Sequence, residues 1–489
     1  MRTVIDSQRQ LGELDIANIK IDSRSRDDIP QLLAGLQYLY LDGALREEIF
    51  QILEKLNPEK ISNELGRPGM AGWKILVMGT LRLNLNCDYD RLHELVNHHN
   101  TIRQMLGHSF TDDDKTYSLQ TLKDNVQLFT PELLDEINQV VVRAGLKLKK
   151  KEALKGRCDS FVVETDVHYP TDINLLFDAI RKVIGLTASY ADITQQEGWR
   201  QSQYNIRQVK RAYRAAQQIK RSTSNNIEKK QKQQQAIVQA HQTYIDLAEQ
   251  FIRKSKATLA QVPPADLIAT AKMSDIQSFI EHGERQIAQI EQRVIKGEKI
   301  PHDEKVFSLF QPHTEWISKG KAGVPVELGL KVCILESTQG YILHHRVMQK
   351  ETDNQIALDM VTETQTRYPE FNSCSYDKGF HSPENQITLA EKLDHLVLPK
   401  KGRCNQIEKA RESSQPFRTA KRKHSAVESG INALEVHGLD VCPDHGITGF
   451  KRYVALAVVA RNIQKLGSEL IRKTRDEERR RQNKHKLVA

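Results

Sequence analysis

No stretch of this chain approaches the ~20 consecutive apolar residues that cross a bilayer, which argues against a membrane-spanning protein. The opening run, Met1-Arg-Thr-Val-Ile-Asp-Ser-Gln-Arg9, has no apolar core of the kind a secretory signal carries, so a cytoplasmic protein is expected. The six cysteines (87, 158, 333, 374, 404 and 442) show no paired spacing. That pattern fits a reduced compartment rather than a disulfide framework. There is no Walker sequence, so ATP use is not supported. Cys442, His445 and His437 resemble part of a zinc set, but no fourth ligand lies at the usual spacing, and an ordinary loop is the simpler reading. No repeat of fixed period is visible.

What is present is a long, moderately basic chain. Its 489 residues exceed one ordinary core and imply two or three domains. Apolar residues at 39% and charged residues at 28% fit a globular protein, and 72 Lys and Arg against 63 Asp and Glu leave a net charge of +9. That balance leans towards an anionic partner such as nucleic acid.

Helical spacing dominates the first third: 29–56, 73–85, 89–106, 118–128 and 131–148 all repeat apolar residues at helical intervals. Gly66-Arg-Pro-Gly69 breaks the pattern, and Thr130-Pro131 suits a helix start. A charged linker, 147–155, follows. The segment 161–167 is β-branched and apolar enough for a strand, with Glu164, Asp166 and His168 on one face. From about 199 to 300 the chain is rich in Gln, Lys and Arg with apolar residues at helical spacing, which reads as an antiparallel helical insert. Strand character returns at 326–337 and, after the turn Thr338-Gln-Gly340, at 341–348. Helix 354–368, strand 371–376, helix 383–393, strand 395–398 and helices 425–434 and 453–471 complete the order. Without the insert this order suits a mixed central sheet with flanking helices.

Three acidic residues stand out by context. Asp166 lies in Phe161-Val-Val-Glu-Thr-Asp-Val-His-Tyr-Pro170 and is costly to bury without a cation or partner. Asp377 ends a short strand and precedes Lys378-Gly-Phe380, while Glu428 sits on a helix. Two hard cations held by carboxylates can activate a nucleophile and stabilise a leaving oxygen, the requirement for phosphodiester cleavage. The cations Lys210, Arg211, Arg214, Lys220, Arg221, Lys229, Lys230 and Lys232 in the insert fit either a solvated helical face or a surface that tracks phosphates. The run from Arg472 to Lys486 reads as a frayed or disordered basic tail.

At these residues the chain resembles the DDE transposases of bacterial insertion sequences, most closely the ISNCY-type members of the group with a ribonuclease-H-like core. The similarity rests on Glu164-Thr-Asp-Val-His-Tyr-Pro-Thr-Asp172, Pro312-His-Thr-Glu-Trp-Ile-Ser-Lys-Gly-Lys321, Tyr376-Asp-Lys-Gly-Phe380, Lys423-His-Ser-Ala-Val-Glu428, Gly438-Leu-Asp-Val-Cys-Pro-Asp-His-Gly446 and Phe450-Lys-Arg-Tyr453. It spans roughly residues 30–465.

The resemblance implies an α/β ribonuclease-H-like mixed sheet with a long helical insert, preceded by an all-α N-terminal domain. The implied domains are a DNA-binding part at 1–155, a catalytic part at 156–465 interrupted by the insert at 173–305, and a basic tail at 466–489. By the same resemblance Asp166, Asp377 and Glu428 hold two Mg²⁺ or Mn²⁺ ions, cut the element's ends to free 3′-hydroxyls and join them to target DNA.

Related transposases often carry Tyr and Arg before the catalytic Glu and Lys after it. Here Lys421 and His424 stand before it and Glu435 after. Lys378, Arg422, Lys423 and His424 are therefore candidates for gripping DNA phosphates. The implied partners are duplex DNA, both element ends and target, and a second copy of the chain at least, with the protein cytoplasmic and nucleoid-associated. A DNA-binding relic without activity and a nuclease without strand transfer are the other readings.

Overall fold

The computed structural model describes residues 2–5, 12–57, 69–109, 115–149, 153–220, 222–261, 264, 266–301, 304–318 and 326–488. Gly66, Arg67, Pro68, Arg221, Lys319, Gly320 and Lys321, which figure in the motifs above, lie outside them.

Asp42 interrupts the first helical stretch: its carboxylate accepts from the amides of Ala44 and Leu45. That cap separates α1 (Asp28–Leu41) from α2 (Gly43–Glu54), where the periodicity alone suggests one helix. α3 (Gly72–Asn84) is buried along nearly its whole length. The stretch 89–106 is likewise two helices, α4 (Tyr89–His98) and α5 (Asn100–Met105), because His99 caps the second through Nδ1. α6 (Leu119–Val126) and α7 (Pro131–Lys147) follow; Thr130 caps α7 and Pro131 opens it.

The chain then forms a seven-stranded mixed sheet. Its strands are β1 (Lys155–Thr165), β2 (Glu315–Ser318), β3 (Val326–Ser337), β4 (Ile342–Val347), β5 (Ser373–Tyr376), β6 (His395–Val397) and β7 (Val441–Cys442). The order is β2-β3-β1-β5-β6, with β4 also on β3 and β7 also on β1. β3 runs antiparallel to β1 and to β4, while β5 is parallel to β1 and to β6. The sheet is open, and the fold is mixed α/β.

Between β1 and β2 come four helices: α8 (Asp172–Ile193), α9 (Ser202–Gln218), α10 (Ile227–Gln261) and α11 (Leu267–Ile290). Five more complete the sheet region: α12 (Asp353–Arg367), α13 (Pro383–Lys392), α14 (Gln406–Ser413), α15 (Gln415–His424) and α16 (Ala426–Leu434). The last is α17 (Gly446–Val488).

The compact units fall differently from the boundaries read in the sequence. One unit is Met1–Asp166 with Ile317–Ala489, and the other is Val167–Trp316. Within the first unit α17 packs on α1, α3, α7 and β4. Val454, Leu456, Val458, Val459, Ile463 and Leu466 on α17 are buried. Its approach to α1 requires glycine: a Cβ at Gly467 would lie 1.8 Å from the Gln31 carbonyl oxygen, and one at Gly35 would lie 2.2 Å from that of Ile463. Buried amides join three elements. Asn462 on α17 donates to Asn138 on α7 at 2.6 Å and to the Ile342 carbonyl on β4 at 2.9 Å, and accepts from the Ile342 amide at 3.0 Å. The basic tail is the helical end of α17, exposed at 472–483.

The second unit has its own core, with Leu176, Ile180, Val183, Tyr244, Ala248, Ile276 and Ile280 buried together. Trp199 Nε1 donates to Thr258 Oγ1 at 2.9 Å inside it. The helical character read for the insert holds, and the unit extends to 167–316 rather than 173–305. No helix among the described residues is long and apolar enough to cross a membrane.

One buried charge cluster ties the loop before α17 to α3. Asp444 accepts from Arg82 at 2.8 Å and from Arg452 at 3.0 Å, and the three side chains are 9%, 4% and 13% exposed. The Arg82 guanidinium also lies 4.2 Å from the centre of the Tyr89 ring. Removing the carboxylate strands two guanidinium groups in a low-dielectric site. Asp444→Ala is expected to destabilise the first unit by about 3–5 kcal/mol in denaturant titrations, with Asp444→Asn milder.

Candidate active site

β1 is longer than its apolar core, and that length decides which acid faces which. In the parallel pairing, Lys155 lies opposite Ser373, Gly156 opposite Cys374, Arg157 opposite Ser375 and Cys158 opposite Tyr376. The next step of this register brings Asp159 beside Asp377, on strands ~4.8 Å apart. Asp377 continues β5 in an extended conformation and accepts no capping hydrogen bond from the short turn that follows, Lys378–Phe380. Period-two alternation puts Arg157, Asp159, Ser375 and Asp377 on one face.

α16 covers that face. Gly430 allows the approach: a Cβ there would lie 2.5 Å from Glu336 Oε1. Glu336 stands opposite Arg157 on β3, with Oε2 3.4 Å from Arg157 Nη1. Glu428 sits in the first turn of α16, two residues before this glycine. His424 closes α15, and its Nδ1 is 3.0 Å from Ser375 Oγ. Its Nε2 is buried and has no hydrogen-bond partner.

The electrostatics reflect this crowding. Burial pushes the Asp159 carboxyl up to about 6. The Ser160 amide, donating to Asp159 Oδ1 at 2.8 Å, opposes the rise. The charges of Asp377, Asp353 and Glu428 then add to it. Burial lowers the His424 imidazole, against the pull of Asp377 and, more weakly, of Glu428.

Asp166 does not belong to this group. β1 ends at Thr165, and Asp166 lies just beyond it, exposed, its amide donating to the Cys442 carbonyl on β7 at 3.3 Å. It is seven residues from Asp159 (166 − 159), about 23 Å along a strand. The apolar context read from the sequence belongs to Phe161, Val163 and Thr165, which are buried, and not to Asp166. The charges of Asp377 and Glu428 both act on Asp159 and on His424, and that of Asp166 is not among those acting on Asp159. The strand start at Lys155-Gly-Arg-Cys-Asp159 was the available signal, but its alternation is masked by three charges and a glycine.

No family model, curated protein or solved structure matches this chain.

The rim of the site is basic. Lys378 follows Asp377 directly and is exposed, and the last turn of α15 carries Lys421, Arg422, Lys423 and His424, the first three exposed. In the other unit Lys210, Arg211 and Arg214 are exposed on α9, and Lys220 is exposed just after it. Of the incomplete zinc set, His437 Nδ1 bonds the Asn84 carbonyl, and Cys442 lies opposite Thr165 in β1–β7 pairing. Among the described residues no three His, Cys, Asp or Glu side chains form a ready-made ion cage.

The groups whose charges act on Asp159 are carboxylates, which suit Mg²⁺ or Mn²⁺, ions that keep several waters and take few protein ligands. A buried carboxyl whose ionisation is opposed by neighbouring negative charges is also a position where a cation is stabilised. The residues present therefore fit a hard divalent ion.

Proposed function

We propose that this chain is a DDE-type transposase with a ribonuclease-H-like core, binding the ends of an insertion sequence and cutting and joining DNA strands there. The observation that carries this reading is the β1–β5 register, which makes Asp159 and Asp377 neighbours under the helix that bears Glu428. The open mixed sheet, with an antiparallel hairpin on one side of β1 and two parallel strands on the other, is compatible with an α/β core of this kind.

In this reading Asp159, Asp377 and, from α16, Glu428 would be the residues that hold the cations. Two bound ions supply Lewis acidity to the attacking and leaving oxygens of a phosphodiester. Ser160 fixes the Asp159 carboxylate through its amide. Lys378, Arg422 and Lys423 are placed to meet phosphate oxygens, and their charge offsets that of the acids for an incoming polyanion. His424, held by Ser375, lines the wall between Asp377 and Glu428.

The test uses duplex DNA carrying the sequence that flanks the reading frame, cut to expose its 3′-hydroxyl and labelled. Joining to a plasmid in Mg²⁺ or Mn²⁺, abolished by chelator, is the expected result. Nicking without joined products would reduce the activity to that of a nuclease; binding with neither would leave a DNA-binding relic.

The exposed cations of α9 give an independent expectation. Each DNA phosphate that is no longer neutralised lowers the salt slope of duplex binding by ~0.9, so Lys210→Ala, Arg211→Ala and Arg214→Ala together should flatten it by up to about 2.7. An unchanged slope assigns α9 to a solvated face.

A further inference from the structure

Behind the sheet, one carboxylate braces the backbone beside both acids. Asp353 is the first residue of α12. Its Oδ1 accepts from Ser160 Oγ at 2.7 Å, and its Oδ2 accepts from Lys331 Nζ at 3.1 Å. Strand alternation sends Asp159 and Ser160 to opposite faces of β1. The hydroxyl of Ser160 is thus gripped from the back while its amide, at 2.8 Å, orients Asp159 Oδ1 on the front.

The same carboxylate abuts the segment after Asp377. A Cβ built at Gly379 would lie 3.2 Å from Asp353 Oδ2, tight enough that something must give. The start of α12 is itself anchored. Thr352 and Gln355 form a capping box, and Asn385 Nδ2 donates to the carbonyls of Asn354 at 2.7 Å and Phe380 at 2.8 Å. That amide couples the first turn of α12 to the turn that follows Asp377. Both oxygens of Asp353 are engaged, one by Ser160 and one by Lys331.

We infer that Asp353, through Ser160 and Gly379, is a positioning residue that sets the separation of Asp159 and Asp377, and hence the affinity of that pair for a divalent cation. This rests on the reading of those two acids as the ion-holding pair. Partners that orient a ligand in this way are worth about 10–100-fold in metal affinity.

The experiment is a titration of the whole protein with Mn²⁺, without DNA, reading free Mn²⁺ by electron paramagnetic resonance, with melting curves to show that each variant is folded. Ser160→Ala and Asp353→Ala should each weaken Mn²⁺ binding by about 10–100-fold. Asp353→Asn, which keeps an oxygen facing Ser160, should restore most of it. Gly379→Ala should weaken it in the same direction by crowding the brace. A merely structural role would lower the melting temperature and leave the Mn²⁺ affinity alone. Folded Ser160→Ala and Asp353→Ala proteins that bind Mn²⁺ like the parent overturn the inference. Should Asp353→Ala fail to fold, Ser160→Ala decides alone, since it removes a single hydroxyl. If Asp159→Asn abolishes binding while the brace variants retain it, only the positioning role falls. If the parent binds no Mn²⁺, the ion-holding pair falls with it.

Discussion

Under the proposed function, Asp159→Asn, Asp377→Asn and Glu428→Gln are each expected to lower metal-dependent strand transfer by at least about 10³-fold, with Asp166→Asn staying close to the parent. The magnitude follows from what a bound cation supplies. Several kcal/mol of charge stabilisation at a phosphoryl oxygen disappears with an ion, and about 4 kcal/mol is ~10³-fold in rate. The contrast between two aspartates so close in the chain follows from geometry. Asp159 has Asp377 as its neighbour in register, whereas Asp166 lies at the far end beside β7. Joining of labelled precut ends, scored for all four variants at equal DNA occupancy, checks it. Activity that survives in Asp159→Asn and disappears in Asp166→Asn would reverse the assignment.

The same substitution is expected to stabilise the protein it inactivates. Asp159 titrates at about 6 in the fold against an ordinary aspartate value of 3.8. Its folded pKa is raised, so its contribution to stability is fully present below pH 3.8 and is lost as pH rises through about 6. The gap corresponds to on the order of 2–3 kcal/mol.

Without divalent ions, the first unit should therefore lose stability between pH 4 and 7 through this group. Asp159→Asn, which cannot ionise, should escape that loss and melt about 3 °C higher at pH 7.5. Added Mg²⁺ or Mn²⁺ should raise the melting temperature of the parent and not of the variant. Melting curves across pH, with and without metal, check both parts. A variant that melts lower than the parent at pH 7.5, with an unchanged pH profile, would mean that Asp159 is held by a favourable partner instead of opposed by its neighbours. A site whose preparation for a cation costs stability in its absence fits the general trade between stability and function.

Much of the sheet is legible in the residues because its strands carry the period of two in apolar, β-branched side chains. The hairpin of β3 and β4, the strand before Asp377 and the helix bearing Glu428 all appear in the residue pattern within a few positions. β2 and β7, of four and two residues, do not appear in the residue pattern. The start of β1 is hidden for a chemical reason. Lys155 reads as the end of a charged linker, and Gly156, Arg157 and Asp159 fall between it and the strand read at 161–167, yet in the fold Arg157 is matched by Glu336 across the strand pair and Gly156 lies against Leu335 and Phe371.

The cost of burying an aspartate points to a site only when the end of the strand is known. Taken from the residue pattern it selects Asp166, which is exposed, over Asp159, which is not. The helix breaks at Asp42 and His99 escape the pattern because capping side chains outweigh continuous apolar spacing. The brace at Asp353 has no sequence signature, for it depends on three segments meeting behind the sheet.

The decisive question is which carboxylates gather around the ions. Anomalous diffraction from crystals soaked in Mn²⁺ reads this directly. The expected result is density bounded by Asp159, Asp377 and Glu428, where β1 and β5 run side by side. Density beside Asp166 and β7, with none at Asp159, would contradict it.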